Sequence, residues 1–133
     1  MKYLLDTCVV SDFVRGEART LAHIKHLSPS SIAVSTITFY EIQYGLALNP
    51  KRSAKISRII HDFLAPIQIL DFTQGDAREA AIIRTHLKKQ GRPIGSYDVL
   101  IAGTALHHQL ILISSNLKEF SRVDGLKLEN WRA

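Results

Sequence analysis

The stretch Leu110-Ile111-Leu112-Ile113-Ser114-Ser115-Asn116 decides the fold of this chain. Its first four residues are apolar without interruption, whereas a strand that faces solvent on one side alternates apolar and polar residues. We therefore predict a strand at 110–113 that is covered on both faces, as the central strands of a parallel sheet are. The chain leaves this strand through three polar residues.

Four other segments have the composition of strands, and helical segments separate them. The strands are predicted at 2–5, 32–35 and 67–71, with a short edge strand at 126–128. Strands that alternate with helices form a parallel sheet covered on both faces. The predicted fold is therefore α/β, with three layers (α/β/α) and a central parallel sheet of 4–5 strands, in a single domain over residues 1–133. The helices are predicted at 9–14, 18–27, from Thr36 or Thr38 to about 46, at 51–64, from a capping box of Thr73 and Asp76 to about 90, at 97–108 after a Ser96 cap, and at 118–120.

Polar side chains lie near the ends of three predicted strands and at the head of one helix. Asp6 closes the first strand, Glu41 lies a few residues past the second, and Asn116 follows the strand at 110–113. Asp98 opens an apolar helix. The carboxyl ends of parallel strands share one edge of the sheet, where ligands bind. Acids brought together repel unless protons or a metal neutralise them, and Mg²⁺ or Mn²⁺ takes oxygen ligands. The pattern predicts a divalent-metal site.

Each of these residues also has a local explanation as a helix cap. Asp6 and Asn116 each precede a predicted helix, and Glu41 stands three residues after Thr38, the spacing of a capping box. Asp98 lies in a first helical turn, where a carboxylate interacts favourably with the helix dipole. The metal site is the better explanation of the four together, because one sheet edge collects them all.

Other site chemistries find little support in the sequence. Neither the G-x-x-x-x-G-K-[ST] nor the G-x-G-x-x-G phosphate-binding motif occurs, and no Cys/His spacing resembles a zinc site. His107 and His108 are adjacent on a predicted helix, so we expect them to point in different directions as surface or core residues. Cys8 lies close to Asp6, whose negative charge disfavours a reactive thiolate.

The net charge is +5, from 17 basic and 12 acidic residues. A basic protein with no charged partner would have this balance, but local clustering favours a polyanion such as nucleic acid. The chain contains no run of about 18 apolar residues, so no membrane span is predicted. An acid at position 6 comes too early for a signal peptide. A single cysteine fits a reducing cytoplasm. The clustered cations are Lys51, Arg52, Lys55 and Arg58 on one helix and Lys88, Lys89 and Arg92 at the end of another.

Four segments in order resemble the PIN-domain ribonucleases, specifically the VapC toxins of bacterial toxin–antitoxin pairs. The first is Leu4-Leu5-Asp6-Thr7, and the second is the segment 35–45 that carries Glu41. The third is 93–103, which carries Asp98. The last runs from Ser114-Ser115-Asn116 through Val123-Asp124-Gly125-Leu126 to Glu129-Asn130-Trp131. Each segment is weakly specific alone, but four at family-like spacing over nearly the whole chain are a strong signal.

The resemblance implies Mg²⁺- or Mn²⁺-dependent endonucleolytic cleavage of RNA, with a transfer RNA as the expected substrate. It assigns the metal to Asp6, Glu41 and Asp98, with Asn116 as a further catalytic residue. Thr7 and Ser115 are expected to hydrogen-bond waters or phosphate. The residues expected to contact RNA are Arg15, Arg52, Arg92 and Tyr97.

This chain departs from the family pattern at two positions. Cys8 stands where relatives usually have Asn, and Asn116 stands where many have a fourth acid. The expected site is therefore three acids around one firmly bound Mg²⁺.

The resemblance also implies partners: a homodimer, silenced by a VapB-like antitoxin within a larger toxin–antitoxin assembly, which contacts operator DNA only through the antitoxin. The C-terminal segment of the antitoxin is expected to cover the active-site groove. Two alternatives are a PIN-like nuclease acting on DNA or in RNA processing, and a non-catalytic module that binds nucleic acid. The three acids argue against the module, since binding alone has no need of an acidic cluster.

Overall fold

The computed structural model describes residues 1–133, which form five strands and seven helices, with one or two helices between successive strands. This confirms the predicted three-layer α/β/α fold. A short 3-10 turn at Pro29–Ser31 precedes the second strand. In chain order the elements are β1 (Tyr3–Leu5), α1 (Thr7–Arg15), α2 (Ala18–Lys25), β2 (Ile32–Ser35), α3 (Thr36–Leu48), α4 (Pro50–Leu64), β3 (Gln68–Leu70), α5 (Gln74–Lys89), α6 (Ser96–His108), β4 (Ile111–Ile113), α7 (Leu117–Phe120) and β5 (Leu128–Glu129).

The five strands form one parallel sheet in the order β3-β2-β1-β4-β5. β1 lies at the centre, with Leu4 in register with Ala33 of β2 and with Leu112 of β4. The chain moves outward from β1 in both directions, so the topological switch point lies between β1 and β4. Ligands of open α/β sheets bind outside the carboxyl ends of the strands at such a point.

Both faces of the sheet are buried, which explains the unbroken apolar run of β4. Successive strand residues point to opposite faces. Leu4 and Leu112 pack with α5, α6 and α7, whereas Leu5 and Ile113 pack with α1, α3 and α4. These four side chains have no solvent exposure. An alternating polar residue in either strand would therefore have been forced into a core.

Among the predicted caps of α3, α5 and α6, one is confirmed and two are wrong. The capping box of Thr73 and Asp76 is confirmed by reciprocal backbone-to-side-chain hydrogen bonds of 3.0 and 3.3 Å. The predicted caps at Thr36 or Thr38 are wrong, because the hydroxyl of Ser35 accepts from the Thr38 amide at 3.1 Å. The predicted Ser96 cap is also wrong, since Ser96 is already helical and no side chain caps α6.

A buried carboxylate fastens the C-terminus to α1. Asp12 is 2% exposed, and both of its oxygens accept hydrogen bonds from the Arg132 guanidinium at 2.6 Å. Arg15 donates a further bond of 2.8 Å. The neighbouring Trp131 packs edge-on against Tyr3 of β1, with ring centroids 5.6 Å apart. The last residues of the chain are thus held on the fold by charge and by aromatic packing.

We expect Asp12→Asn to lower the free energy of unfolding at pH 7 by about 1–2 kcal/mol, because it weakens charge-assisted bonds to guanidinium groups that remain partly in solvent. The hydrogen bond from Arg132, and secondarily that from Arg15, lowers the pKa of Asp12. A carboxyl with a lowered folded pKa stabilises the fold above its unfolded pKa, and this stability is lost as the pH falls through the folded pKa.

Urea denaturation at several pH values measures this effect, with Asp71→Asn, on an exposed residue, as the matched control. The difference between the wild type and Asp12→Asn should be full at pH 7 and shrink below about pH 4. A difference that stays constant down to pH 3 would contradict a charged Asp12.

Candidate active site

Asp6 lies at the end of β1, where the sheet switches direction. It is 6% exposed and occupies the N-cap position of α1, where Oδ1 accepts from the Thr7 amide at 2.8 Å. Oδ2 accepts from the Ser114 hydroxyl at 2.8 Å, just past the end of β4. Asp6 therefore caps α1 and is also held in the cleft between β1 and β4, so its role as a helix cap does not exclude a role in a site.

Glu41 reaches the same edge from α3. Its Oε1 accepts from the Thr7 hydroxyl at 2.7 Å, and the Thr7 amide binds Asp6. Thr7 thus links two acids that are 35 positions apart in the sequence. The alternative capping-box role for Glu41 is wrong, because Ser35 provides the cap of α3 and Glu41 points to α1 instead.

Asp98 lies in the first turn of α6 and faces the other acids. Burial, followed by the negative charge of Asp6, raises the pKa of Asp98 to about 7. A hydrogen bond to Glu119 and the charges of Glu119 and Glu41 contribute as well. The structure therefore brings Asp6, Glu41 and Asp98 close enough for their charges to interact, as the sequence predicted.

Glu119 on α7 is a fourth acid that the sequence reasoning missed. Hydrogen bonds from the Asn116 side chain, at 3.0 Å, and with Asp98 lower the pKa of Glu119. Asn116 occupies the N-cap position of α7 without capping it, and its side chain holds Glu119 instead. The signal was present in the sequence, because residues three apart share a face of a helix. The structure therefore places a fourth acid beside Asp98.

Cys8 and Ser115 fill the space behind Asp6. The Cys8 sulfur lies 3.6 Å from Asp6 Oδ2, 3.4 Å from the Ser115 hydroxyl and 3.5 Å from its amide. Ser115 therefore contacts the thiol rather than an acid. The residue that supports Asp6 directly is Ser114, which is fully buried and also accepts from the Asn116 amide at 3.0 Å.

No Lys or Arg forms an ion pair with any of the four acids. The negative charges of Asp6, Glu41 and Glu119 act on Asp98, and carboxylate oxygens are the ligands that a hard divalent cation binds. Their positions at the carboxyl edge of the sheet agree with the usual ligand position of this architecture.

The PIN domain family model matches residues 3–126. The chain belongs to the PIN-domain family. Ribonuclease VapC2 of Haemophilus influenzae is 36% identical over 131 residues, which cover 98% of each chain. The tRNA(fMet)-specific endonuclease VapC of Shigella flexneri is 30% identical over 131 residues, with the same coverage. The structure of VapBC2 from Rickettsia felis bound to a DNA fragment from their promoter matches with a TM-score of 0.90, at 30% identity over 98% of this chain and 99% of that one. The resemblance seen in the motifs is confirmed.

PIN nucleases are metal-dependent. A groove of about 480 Å³ leads away from Glu41 and Thr7 between α1, α3 and α4. Arg15 and Arg52 line it, although the Arg15 guanidinium is bound to Asp12. Its apolar lining consists of Val10, Val14, Ile42, Leu46, Ile56 and Ile60.

Three exposed tyrosines of the PIN domain lie beside the acids. Tyr40 and Tyr44 flank Glu41 on α3, and Tyr97 precedes Asp98 on α6. Tyr97 packs edge-on against Tyr40 at 5.6 Å, and their hydroxyls lie 3.4 Å apart. Between 44% and 57% of each residue is exposed. Tyr97, an expected RNA contact, thus lies against Tyr40, which in turn stacks on Tyr44 with ring centroids 6.4 Å apart.

Arg122 affects the charge of one of the acids, whereas Arg92 forms no ion pair with them. Arg92 is exposed in the turn between α5 and α6 and forms none of the ion pairs. Arg122 donates a bond of 2.9 Å to the Pro93 carbonyl, and its charge contributes to the lowered pKa of Glu119. Arg122 is thus the basic residue near the acids that the sequence reasoning overlooked.

None of the seven helices has the length and apolar character that crossing a bilayer demands.

Proposed function

We propose that this chain is the toxin of a toxin–antitoxin pair, an endoribonuclease that hydrolyses RNA phosphodiester bonds and thereby inhibits translation. The observation that carries the proposal is the convergence of four carboxyls, free of ion pairs, at the carboxyl edge of a PIN-domain sheet. The ribonuclease and endonuclease relatives support RNA as the substrate.

The metal of this site is Mg²⁺, with Mn²⁺ as the alternative ion. Asp6, Glu41 and Asp98 would hold it, together with Glu119. When bound, the ion would supply positive charge to the scissile phosphate and would lower the pKa of a bound water. The oxygen-only donor set supports a hard cation over zinc, which prefers nitrogen and sulfur ligands.

The chain's own residues orient and deprotonate the attacking water. Glu41, fixed by the Thr7 hydroxyl, accepts the proton of this water as general base. The oxygen of the water attacks phosphorus, and the bond from phosphorus to the 3′ oxygen breaks. The leaving 3′ oxygen takes up a proton from bulk water, so the products carry a 5′-phosphate and a 3′-hydroxyl. The Asn116 side chain donates a hydrogen bond to Glu119 and so positions this proposed metal ligand.

The substrate is a transfer RNA, cut in a single-stranded loop. Sequence-specific RNA recognition targets loops whose bases can stack on aromatic side chains. Tyr40, Tyr44 and Tyr97 offer exposed rings next to Glu41 and Asp98. Arg15, Arg52 and Arg92 remain predicted contacts to the RNA backbone, and Arg122 joins them.

We expect Tyr97→Ala to lower kcat/KM for an RNA loop substrate by about tenfold, because stacking contributes roughly 1–3 kcal/mol per base. Tyr97→Phe keeps the ring and should retain most of the activity. Steady-state cleavage of a labelled stem-loop measures both variants. If Tyr97→Ala cuts as fast as wild type, the tyrosines do not form the base platform.

The partner is a VapB-like antitoxin whose C-terminal segment fills the groove between α1, α3 and α4. The apolar lining suits an amphipathic segment, and a basic antitoxin residue at the mouth would meet Glu41. The Rickettsia felis relative was solved as a complex bound to promoter DNA. In the proposed assembly, only the antitoxin contacts operator DNA. The toxin is a homodimer within that assembly. Its location is the cytoplasm.

Sequencing of RNA 5′ ends after brief expression tests the proposal. Cells expressing the wild type should gain 5′ ends at one or a few transfer-RNA positions, and cells expressing Asp98→Asn should lack them. Equal end profiles in the two cultures would overturn the endoribonuclease assignment, whereas new ends only in messenger or ribosomal RNA would change the substrate alone.

A further inference from the structure

A second polar cluster lies at the end of α6 opposite Asp98. Asp76, in the first turn of α5, has no solvent exposure. Its Oδ1 lies 2.7 Å from Nδ1 of His107 and 3.3 Å from Nε2 of His108. The expectation that these adjacent histidines diverge is wrong. One presents its near nitrogen and the other its far nitrogen, so both rings reach the same oxygen, with their centroids 4.9 Å apart.

The hydrogen bonds of this cluster leave one ring nitrogen unsatisfied. Nδ1 of His107 is hydrogen-bonded to Asp76. Nε2 of His108 is buried and forms no hydrogen bond, although Asp76 Oδ1 is only 3.3 Å away. Buried polar atoms of folded proteins nearly always have a partner, so this nitrogen needs an explanation. An imidazole nitrogen with no hydrogen bond, close to a second imidazole and a carboxylate, is available to a metal ion.

The surroundings keep the three groups in this arrangement. Oδ2 of Asp76 accepts from the Thr73 amide at 3.0 Å in the capping box, which leaves Oδ1 for the histidines. Gly75 provides the space for His107, since a Cβ at position 75 would overlap the imidazole ring. Such fixing of a ligand by its neighbours is a regular feature of metal sites in proteins.

We propose that Asp76, His107 and His108 form a Zn²⁺ site. Their ligand atoms all lie within 4.8 Å of one another, and no other His, Cys, Asp or Glu side chains form such a group. Tetrahedral Zn²⁺ with bonds of about 2.0–2.1 Å places its ligands roughly 3.3 Å apart, which matches the separation of Asp76 and His108. The hydrogen-bonded pair of Asp76 and His107, now 2.7 Å apart, must widen and give up its proton when Zn²⁺ binds. Two imidazoles and one carboxylate are a common zinc donor set, with a fourth position for water. The acids at the other end of α6 offer only oxygen and suit Mg²⁺.

This site is separate from the proposed active site. Asp98 and His108 are ten residues apart on one helix, which corresponds to about 15 Å along its axis. Zn²⁺ bound there joins the start of α5 to the end of α6 and stabilises the pair of helices. Because binding to the folded state alone raises stability by mass action, the melting temperature should rise with Zn²⁺ concentration.

Metal titration of the full chain tests the proposal. The protein is stripped with a chelator and dialysed, and Mg²⁺ is kept in excess to occupy the acidic edge. Zn²⁺ is then titrated against a chromophoric chelator, and the absorption of Co²⁺ in the same site reports nitrogen ligation. The variants are His107→Gln, His108→Gln and Gly75→Ala, and the matched control is His26→Gln on an exposed histidine outside the cluster.

The wild type and His26→Gln should bind one Zn²⁺ per chain with equal affinity and melt at higher temperature with Zn²⁺. His107→Gln and His108→Gln should each lose at least tenfold in affinity, because even supporting residues of metal sites cost 10–100-fold. Gly75→Ala retains every ligand but displaces His107, and should also bind more weakly. Equal Zn²⁺ affinity of wild type and His108→Gln would overturn the site, as would the absence of a stoichiometric Zn²⁺ in the wild type. Melting in chelator checks that each variant is folded.

Discussion

Asp98→Asn is expected to lower the rate of Mg²⁺-dependent RNA cleavage by more than about 100-fold. Loss of a residue that merely supports a metal ligand costs 10–100-fold, and Asp98 is itself a proposed ligand. The substitution preserves the size of the side chain but replaces an anionic oxygen with an amide. Single-turnover cleavage of a labelled RNA at saturating Mg²⁺ measures the loss. Asp124→Asn serves as the control, because Asp124 is exposed and its carboxylate lies near His86 rather than near the four acids.

The same variant should be folded and at least as stable as wild type in the absence of divalent ions. Asp98 is partly buried among Asp6, Glu41 and Glu119, whose negative charges oppose its ionisation. Removing one of four mutually repelling carboxyls relieves that opposition. Thermal unfolding in chelator provides this second readout. Full cleavage activity in a folded Asp98→Asn protein would refute the active site, and an unfolded variant would refute the charge argument.

Much of the fold follows from the sequence because the pattern of burial is local. The uninterrupted apolar residues of β4 require cover on both faces, and the paired Leu4 and Leu5 of β1 supply one side chain to each core. Helix ends were less predictable, since Ser35 and Thr38 are both good caps. Only the backbone geometry decides which hydroxyl accepts the hydrogen bond from a free amide at the start of the helix.

The proposed active site was predictable to the extent that each acid follows a strand or opens a helix. Glu119 was missed because Asn116 stands at the position expected for the fourth acid, and the acid lies one helical turn later. Contacts between distant segments were beyond reach: Asp12 and Arg132 are 120 positions apart. Likewise, the convergence of His107 and His108 depends on where Asp76 lies in the packed structure.

Asp6→Ala and Asn116→Ala should differ in the size of their effects, because Asp6 is a proposed metal ligand and Asn116 acts through Glu119. Asp6 also accepts bonds from the Thr7 amide and the Ser114 hydroxyl. We expect Asp6→Ala to reduce cleavage as much as Asp98→Asn does. Asn116→Ala leaves the four acids in place and should cost about tenfold, the lower end of the range for residues that support metal ligands. Cleavage rates measured over a range of Mg²⁺ concentrations compare the two, and the Asn116 variant should recover partly at high Mg²⁺.

A double-mutant cycle separates a positioning role of Asn116 from a direct one. The Asn116 side chain donates to Glu119, and this bond lowers the pKa of Glu119. If Asn116 acts only by holding Glu119, Asn116→Ala should have little further effect in a Glu119→Gln background, because coupled residues do not give additive losses. Additive losses would instead place Asn116 in contact with RNA or metal. A loss for Asn116→Ala equal to that for Asp6→Ala would show that the amide is as necessary as the carboxylates.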